Sequence, residues 1–324
     1  MRDVTVFIRS MRFLGTQIVS YPMLWQIRQF WPDCRLRVVA QDDVGRHYLS
    51  LPWVDEFVQA DSLSENYRAL GNRTDLMIAL HFASDKYGAV AMARLPRVRL
   101  GFRNGRITDF IWTHRHLKDF SEYMGLANMR LLSAYRPFDP ETCARASMQA
   151  LAELREGTPD PAEIVFMPGG GAGDYKRWPI ESYVMLADLL REKLGSSARF
   201  AFVLGPDESR EYQWLAGLGR PEFQLVMSRP IAEIAHLALG ARLVVANDCG
   251  PSHLAQFACV PYVGIFHESN REWFWARPYT AEVFPADGSF EISRVDHRDA
   301  FAACVRVLAA EAPFNGQVAR SGNV

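Results

Sequence analysis

Residues 163–205 read EIVFMPGGGAGDYKRWPIESYVMLADLLREKLGSSARFAFVLG. An apolar run, a glycine-rich turn, an amphipathic stretch and a second apolar run follow one another. That order is the pattern of a strand–helix–strand unit. Strands are expected at 163–169 and 199–205, with a helix at 180–194 between them. Two strands joined in this way lie parallel, in a sheet covered by helices on both faces. The alternation continues with a helix from Asp207, a strand over 223–226, a helix over 230–240, a strand over 242–248, a helix from Ser252, a strand over 262–266 and a terminal helix over 296–312.

The N-terminal half repeats the rhythm. Strands are expected at 4–9, 35–40, 54–59, 74–80 and 97–102. Helices are expected at 17–30, at 84–95 with Ser84 as its cap, and at 116–126, ending near Gly125. Prolines and charges at 137–162 flank one amphipathic helix, 144–156, and the domain linker is placed there. The expectation is an α/β protein with two doubly wound, Rossmann-like parallel-sheet domains, 1–150 and 151–312, and a frayed tail, 313–324. In such sheets ligands bind beyond the carboxyl ends of the strands.

Bulk properties narrow the function. The chain has 324 residues, 49% of them hydrophobic, and a formal net charge of −1, so nothing global points to nucleic acid. The charge is uneven: residues 1–150 hold 20 Lys+Arg against 15 Asp+Glu, and the remainder 16 against 22. A basic first half suits an anionic substrate or is simply a solvated surface. Five cysteines with no Cys-x-x-Cys pair argue against a disulfide framework or a zinc ribbon and fit a reducing cytoplasm. The opening MRDVTVFIRSMR is too charged for a signal peptide, and no apolar run approaches the ~20 residues that span a bilayer.

Two strand ends carry chemistry. At 169–173, Gly169, Gly170, Gly171, Ala172 and Gly173 would let backbone N–H groups approach a phosphate, with Lys176 and Arg177 close behind. A following helix N-terminus would add partial positive charge. This is neither a nucleoside-triphosphatase loop, which needs Gly-Lys-Ser/Thr in succession, nor a dinucleotide fingerprint. Taken alone it is an anion cradle or a plain turn. At 247–253, NDCGPSH places Asp248 at the end of a strand, Gly250 and Pro251 in a tight turn, Ser252 as a helix cap and His253 in the first turn. Each is more often structural than functional when it stands alone.

Together, GGGAGDYKRWPIESYVMLADLL, FVLGPDE and LALGARLVVANDCGPSHLAQFACVPYVGIF resemble the C-terminal domain of the ADP-heptose–lipopolysaccharide heptosyltransferases, glycosyltransferase family nine. The likeness covers most of 163–266. FLGTQIVSYPMLWQIRQFWPDCRLRVVAQ resembles the family's N-terminal pattern more loosely. The resemblance implies a GT-B architecture, two facing domains with an interdomain cleft, and an inverting, metal-independent transfer of a heptose-like sugar from a nucleoside diphosphate. It implies an anionic glycan or glycolipid acceptor such as lipopolysaccharide core, no cofactor and no nucleic acid. The implied location is cytoplasmic, with peripheral contact on the inner membrane surface. By position, Gly170, Gly171, Ala172, Gly173, Lys176, Arg177, Glu208 (or its neighbour Asp207), Asp248, Gly250, Pro251, Ser252 and His253 would hold the donor. Lys176 and Asp248 would stand closest to catalysis.

One departure matters. The family places an aspartate after its N-terminal Leu-Gly pair as general base, and Thr16 stands there. A threonine hydroxyl has no useful basicity near neutral pH. Asp42, Asp43 or Asp109 could serve instead, the acceptor could be activated differently, or the chain could bind a nucleotide sugar without turnover. A nucleotide-sugar epimerase of similar architecture is a third reading. Arg94, Arg97, Arg99, Arg103 and Arg106 offer contacts to an anionic acceptor or to lipid headgroups, or form a solvated rim. HRH at 114–116 reads as surface or a helix start, and REWFWARPY at 271–279 as a sugar-stacking surface or a packed cover.

Overall fold

The computed structural model describes residues 1–9, 13–81, 85–103, 105–157, 161–171, 173–310 and 312. They form two compact units, divided between Cys143 and Ala144.

The first unit runs β1 (Asp3–Phe7), α1 (Leu14–Ile18), α2 (Tyr21–Phe30), β2 (Arg35–Ala40), β3 (Glu56–Gln59), α3 (Leu63–Leu70), β4 (Leu76–Ala79), α4 (Lys86–Arg94), β5 (Val98–Arg103), β6 (His114–Leu117) and α5 (Met124–Ser133). Helix α6 (Pro140–Ala152) follows. The second unit continues with β7 (Ile164–Met167), α7 (Ile180–Leu194), β8 (Phe200–Leu204), α8 (Ser209–Gly217), β9 (Phe223–Met227), α9 (Ile231–Gly240), β10 (Leu243–Asn247), α10 (Gly250–Phe257), β11 (Tyr262–Ile265), β12 (Thr280–Val283) and α11 (His297–Ala309).

Each unit holds one six-stranded, all-parallel sheet. The orders are β3-β2-β1-β4-β5-β6 and β12-β11-β10-β7-β8-β9, so both follow the doubly wound 3-2-1-4-5-6 scheme. The order reverses between β1 and β4 in the first sheet and between β7 and β10 in the second. Central strands such as LMIA of β4 and FAFVL of β8 are buried along their whole length, as sheets covered on both faces require. The second core gathers Phe166, Phe200, Phe202, Tyr183 and Trp178 between β7, β8 and α7. The first packs Phe7, Met77, Tyr87 and Trp112.

Several boundaries differ from expectation. The helix expected at 116–126 forms only from Met124: His114–Leu117 is the edge strand β6 and α5 starts at Met124, with Gly125 in its first turn. HRH thus lies on an edge strand, where alternate residues are exposed and the sequence lacks an apolar run. Its His116 pairs with Glu122 at 2.8 Å, and Glu122 in turn with Arg130. The stretch 17–30 divides into α1 and α2, because Pro22 fits a first helical turn and not a helix interior. Helix α3, closed by a Ser62/Glu65 capping box, and the edge strand β12 were not anticipated. Ser84, Ala172 and 313–324 lie outside the described residues. The run 271–279 is largely a packed cover, with Phe274, Trp275 and Tyr279 buried.

Candidate functional site

At the reversal point of the second sheet, β7 runs out into Pro168 and the glycines, and β10 runs out into Asp248. Asn247 ties these two ends together: its Nδ2 donates to the Pro168 carbonyl at 2.6 Å, and its Oδ1 accepts from the Tyr183 hydroxyl at 2.8 Å. The two loops are therefore held at a fixed separation by a buried amide. Nothing in the sequence singles Asn247 out except its place before Asp248.

Lys176 and Asp248 close the site. Lys176 Nζ lies 2.5 Å from Asp248 Oδ2, with both side chains mostly buried. Asn270 Nδ2, from the loop after β11, donates to the same oxygen at 3.3 Å. Sequence reading missed Asn270, since its loop carries no motif. Arg177 turns the other way. It pairs with Glu208 at 3.2 Å and with Asp174 at 3.4 Å. Glu208 is buried and its Oε2 accepts the Gly205 N–H at 2.7 Å, whereas Asp207 is exposed. Between these two neighbours, Glu208 is the one turned inward.

The glycines have separate uses. A Cβ at Gly170 would meet Arg177 Cγ at 2.8 Å, so this position must be bare for the chain to double back on itself. A Cβ on Gly171 would meet nothing within 4 Å, so this glycine borders open space. Gly173 has φ +127°, a conformation that L side chains rarely adopt. Its N–H donates to the Gly170 carbonyl at 3.2 Å and so closes a turn. The glycine loop leads into a 3-10 turn, Asp174–Lys176, and α7 begins only at Ile180. Helix α7 starts where expected, with Pro179 as its N-cap residue, so the 3-10 turn separates its N-terminus from the glycines. Trp178 is buried and its Nε1 donates to the Val295 carbonyl at 2.9 Å, so it anchors the loop to the core.

On the opposite lip, α10 starts right after Asp248 with Gly250 and Pro251 in its first turn. Ser252 is no cap. Its hydroxyl donates back to the Cys249 carbonyl at 2.7 Å, and Cys249 occupies the N-cap position. His253 is buried, with Nδ1 3.4 Å from Gln256 Nε2 and its ring against Trp273 at 5.6 Å. Burial pushes its pKa down to about 4. The Asp248 carboxylate opposes that shift, and the Lys176 ammonium adds to it. It is therefore a neutral imidazole at ordinary pH. The arrangement presents an ammonium, open space at Gly171 and the start of α10 around one strand-end crevice. Those groups suit a bound diphosphate and would stabilise its growing charge as a leaving group. Among the described residues no three His, Cys, Asp or Glu side chains converge to hold a metal ion.

In the first unit Thr16 lies in α1, buried, and its hydroxyl donates to the Phe13 carbonyl at 2.7 Å. Asp109 accepts the N–H groups of Gly105 and Arg106 at 2.9 and 3.1 Å and so shapes its own loop. Asp42 is half-buried and Asp43 exposed. Arg99 is committed to the Ile111 and Pro96 carbonyls, and Arg94 stacks on Tyr67 at 3.6 Å. Arg97, Arg103 and Arg106 are exposed.

A family model described as glycosyltransferase family 9 (heptosyltransferase) matches residues 82–285. No curated protein matches the chain. Among solved structures, the glycosyl transferase family 9 protein of Veillonella parvula DSM 2008 is similar at 19% identity, over 95% of this chain and 97% of that one, with a TM-score of 0.63. The E. coli heptosyltransferase WaaC with ADP-2-deoxy-2-fluoro heptose is similar at 17% identity, over 92% and 97%, with a TM-score of 0.66. The UDP-GlcNAc 2-epimerase of Methanocaldococcus jannaschii is similar at 12% identity, over 96% and 94%, with a TM-score of 0.58. At these identities the likeness is one of fold.

Proposed function

The chain belongs to glycosyltransferase family 9, the heptosyltransferases, and from that premise we propose that it moves a heptose-like sugar from a nucleoside diphosphate to an anionic bacterial glycan such as lipopolysaccharide core. The chain is a nucleotide-sugar glycosyltransferase. The second unit holds the donor and the first receives the acceptor. The observation that carries the donor assignment is the Lys176–Asp248 pair beside the open space at Gly171, at the reversal point of the second sheet. Lys176 and the backbone N–H groups of the two lips take up the charge of the departing diphosphate in place of a metal ion, and a single displacement by the acceptor hydroxyl inverts the anomeric carbon. Glu208 faces the ribose. The E. coli heptosyltransferase WaaC was solved with ADP and with ADP-2-deoxy-2-fluoro heptose, which favours an ADP-linked donor here.

The acceptor side has its own surface. Ile107, Phe110, Leu117 and Phe120 are 83%, 70%, 65% and 61% exposed, and Arg103, Arg106 and Arg115 stand among them. Apolar side chains with interspersed arginines fit the headgroup layer of an anionic bilayer, where a lipid-linked acceptor resides. No helix among the described residues is long and apolar enough to cross a membrane.

A thermal-shift series with ADP, UDP, GDP and CDP in excess chelator tests the donor reading. A ligand at 100 times its Kd adds ~2.7 kcal/mol. The expected result is a rise in Tm with ADP that Lys176→Ala cuts to about half or less, together with release of ADP when ADP-heptose and a lipopolysaccharide-core acceptor are supplied. Binding with no transfer would leave a nucleotide-sugar-binding protein. Free or epimerised sugar formed without acceptor would leave an epimerase.

A further inference from the structure

Sugar transfer to a hydroxyl needs a base for the acceptor proton, and Thr16 spends its own proton on the Phe13 carbonyl. At the reversal point of the first sheet, β1 and β4 are zipped to their ends: Leu80 N donates to the Phe7 carbonyl at 2.9 Å. His81 is the next residue. Its Nε2 lies 2.5 Å from the Ile8 carbonyl, on the neighbouring strand end. A carbonyl can only accept, so Nε2 carries the hydrogen and Nδ1 carries the lone pair. The ring stacks on Tyr87 with centroids 4.1 Å apart and planes 22° apart, which fixes its direction. Nδ1 has no hydrogen-bond partner among the described residues, and the side chain is only partly buried.

We propose that His81 is the catalytic base, taking the acceptor proton on Nδ1. The proposal rests on the reading of this chain as a glycosyltransferase. The acceptor oxygen forms its bond to the anomeric carbon as its proton passes to Nδ1. The bond from that carbon to the phosphate oxygen breaks, its electron pair leaves with the diphosphate, and the imidazolium afterwards returns the proton to water. Desolvation by the groups packed around the ring holds it neutral, with its pKa lowered to about 3; the hydrogen bond to Ile8 opposes that shift, and the charges of Lys86 and Arg9 add to it. Besides these two cations, Tyr87 packs on the ring, and Asp61 pairs with Lys86 at 3.8 Å. An anionic acceptor offsets the charges of Lys86 and Arg9, which are the smaller part of that shift.

The test compares the unaltered chain with His81→Gln and His81→Ala. Glutamine keeps an N–H for the Ile8 carbonyl and lacks the basic nitrogen. Expected for His81→Gln are an unchanged Tm, an unchanged ADP-induced Tm shift, and a kcat lower by roughly 10²–10⁴-fold. Added imidazole should partly restore His81→Ala. 15N NMR should find Nε2–H and a bare Nδ1. A ring protonated on Nδ1, or a His81→Gln variant with kcat within about 3-fold of the unaltered chain, overturns the base assignment alone. An unaltered chain that releases no ADP from any donor and acceptor overturns the glycosyltransferase reading along with it.

Discussion

Lys176 and Asp248, 72 residues apart, meet at 2.5 Å across the two strand ends where the second sheet reverses its order. The ammonium is thus held in place before any ligand arrives, and an incoming diphosphate must compete with the carboxylate for it. Removing the cation and removing the competing anion should therefore act in opposite directions. Lys176→Met is expected to weaken ADP binding by about tenfold or more, the worth of one charge-assisted hydrogen bond. Asp248→Asn should leave ADP affinity equal or tighter while lowering turnover, because Lys176 loses its orienting partner. Isothermal titration of both variants decides it, and equal weakening in the two would contradict the competition.

Gly170 and Gly171 are adjacent and should behave differently. Alanine at 170 would press on Arg177 Cγ, so the loop must shift and Tm should fall by about 1–3 kcal/mol equivalent. Alanine at 171 enters open space and should leave Tm unchanged. If that space is where phosphate sits, Gly171→Ala will still lose ADP affinity by about tenfold or more, the worth of a charge-assisted hydrogen bond. Thermal melts with and without ADP separate the two effects.

The Glu208 carboxylate serves Gly205 N–H and the Arg177 guanidinium at once. Glu208→Ala leaves both without that partner in a largely dry setting and should cost about 1–3 kcal/mol in urea denaturation. Glu208→Gln keeps an acceptor for Gly205 and should cost less. Equal losses would mean that the charge pair with Arg177 dominates.

Stability should fall in mild acid. The folded-state pKa of His253, about 4, lies below its ordinary value of 6.5, so the unfolded chain binds the proton first. The stabilisation from keeping it neutral is fully present above pH 6.5 and is lost as pH falls toward 4, on the order of 3 kcal/mol. His81, lowered to about 3, acts in the same direction. Tm measured from pH 7 to pH 4 should fall less steeply in His253→Gln than in the unaltered chain. Identical slopes would show that His253 does not carry the effect.

The central strands were legible because both faces of each are buried, so VTVF, LMIA, FAFVL and LVVA read as apolar runs whatever their neighbours. The edge strands β6 and β12 were not. They have four residues each with one face outward, and HRHL is a strand only because β5 offers it a hydrogen-bonding partner. The loops at 169–177 and 247–253 were also legible, since glycine, proline and charge crowd at predicted strand ends. Their division of labour was not. That Lys176 faces Asp248 while Arg177 turns back to Glu208 and Trp178 enters the core is set by which side of one short 3-10 turn each residue leaves from, and Ser252 serves the first turn of its own helix. The sequence alone determined two wound parallel sheets and the strand ends at which glycine and charge gather, because strand period and turn chemistry are local. Only tertiary structure decided which charges meet, because Lys176 and Asp248, like His81 and Ile8, are brought together by strand order, a property of the whole sheet.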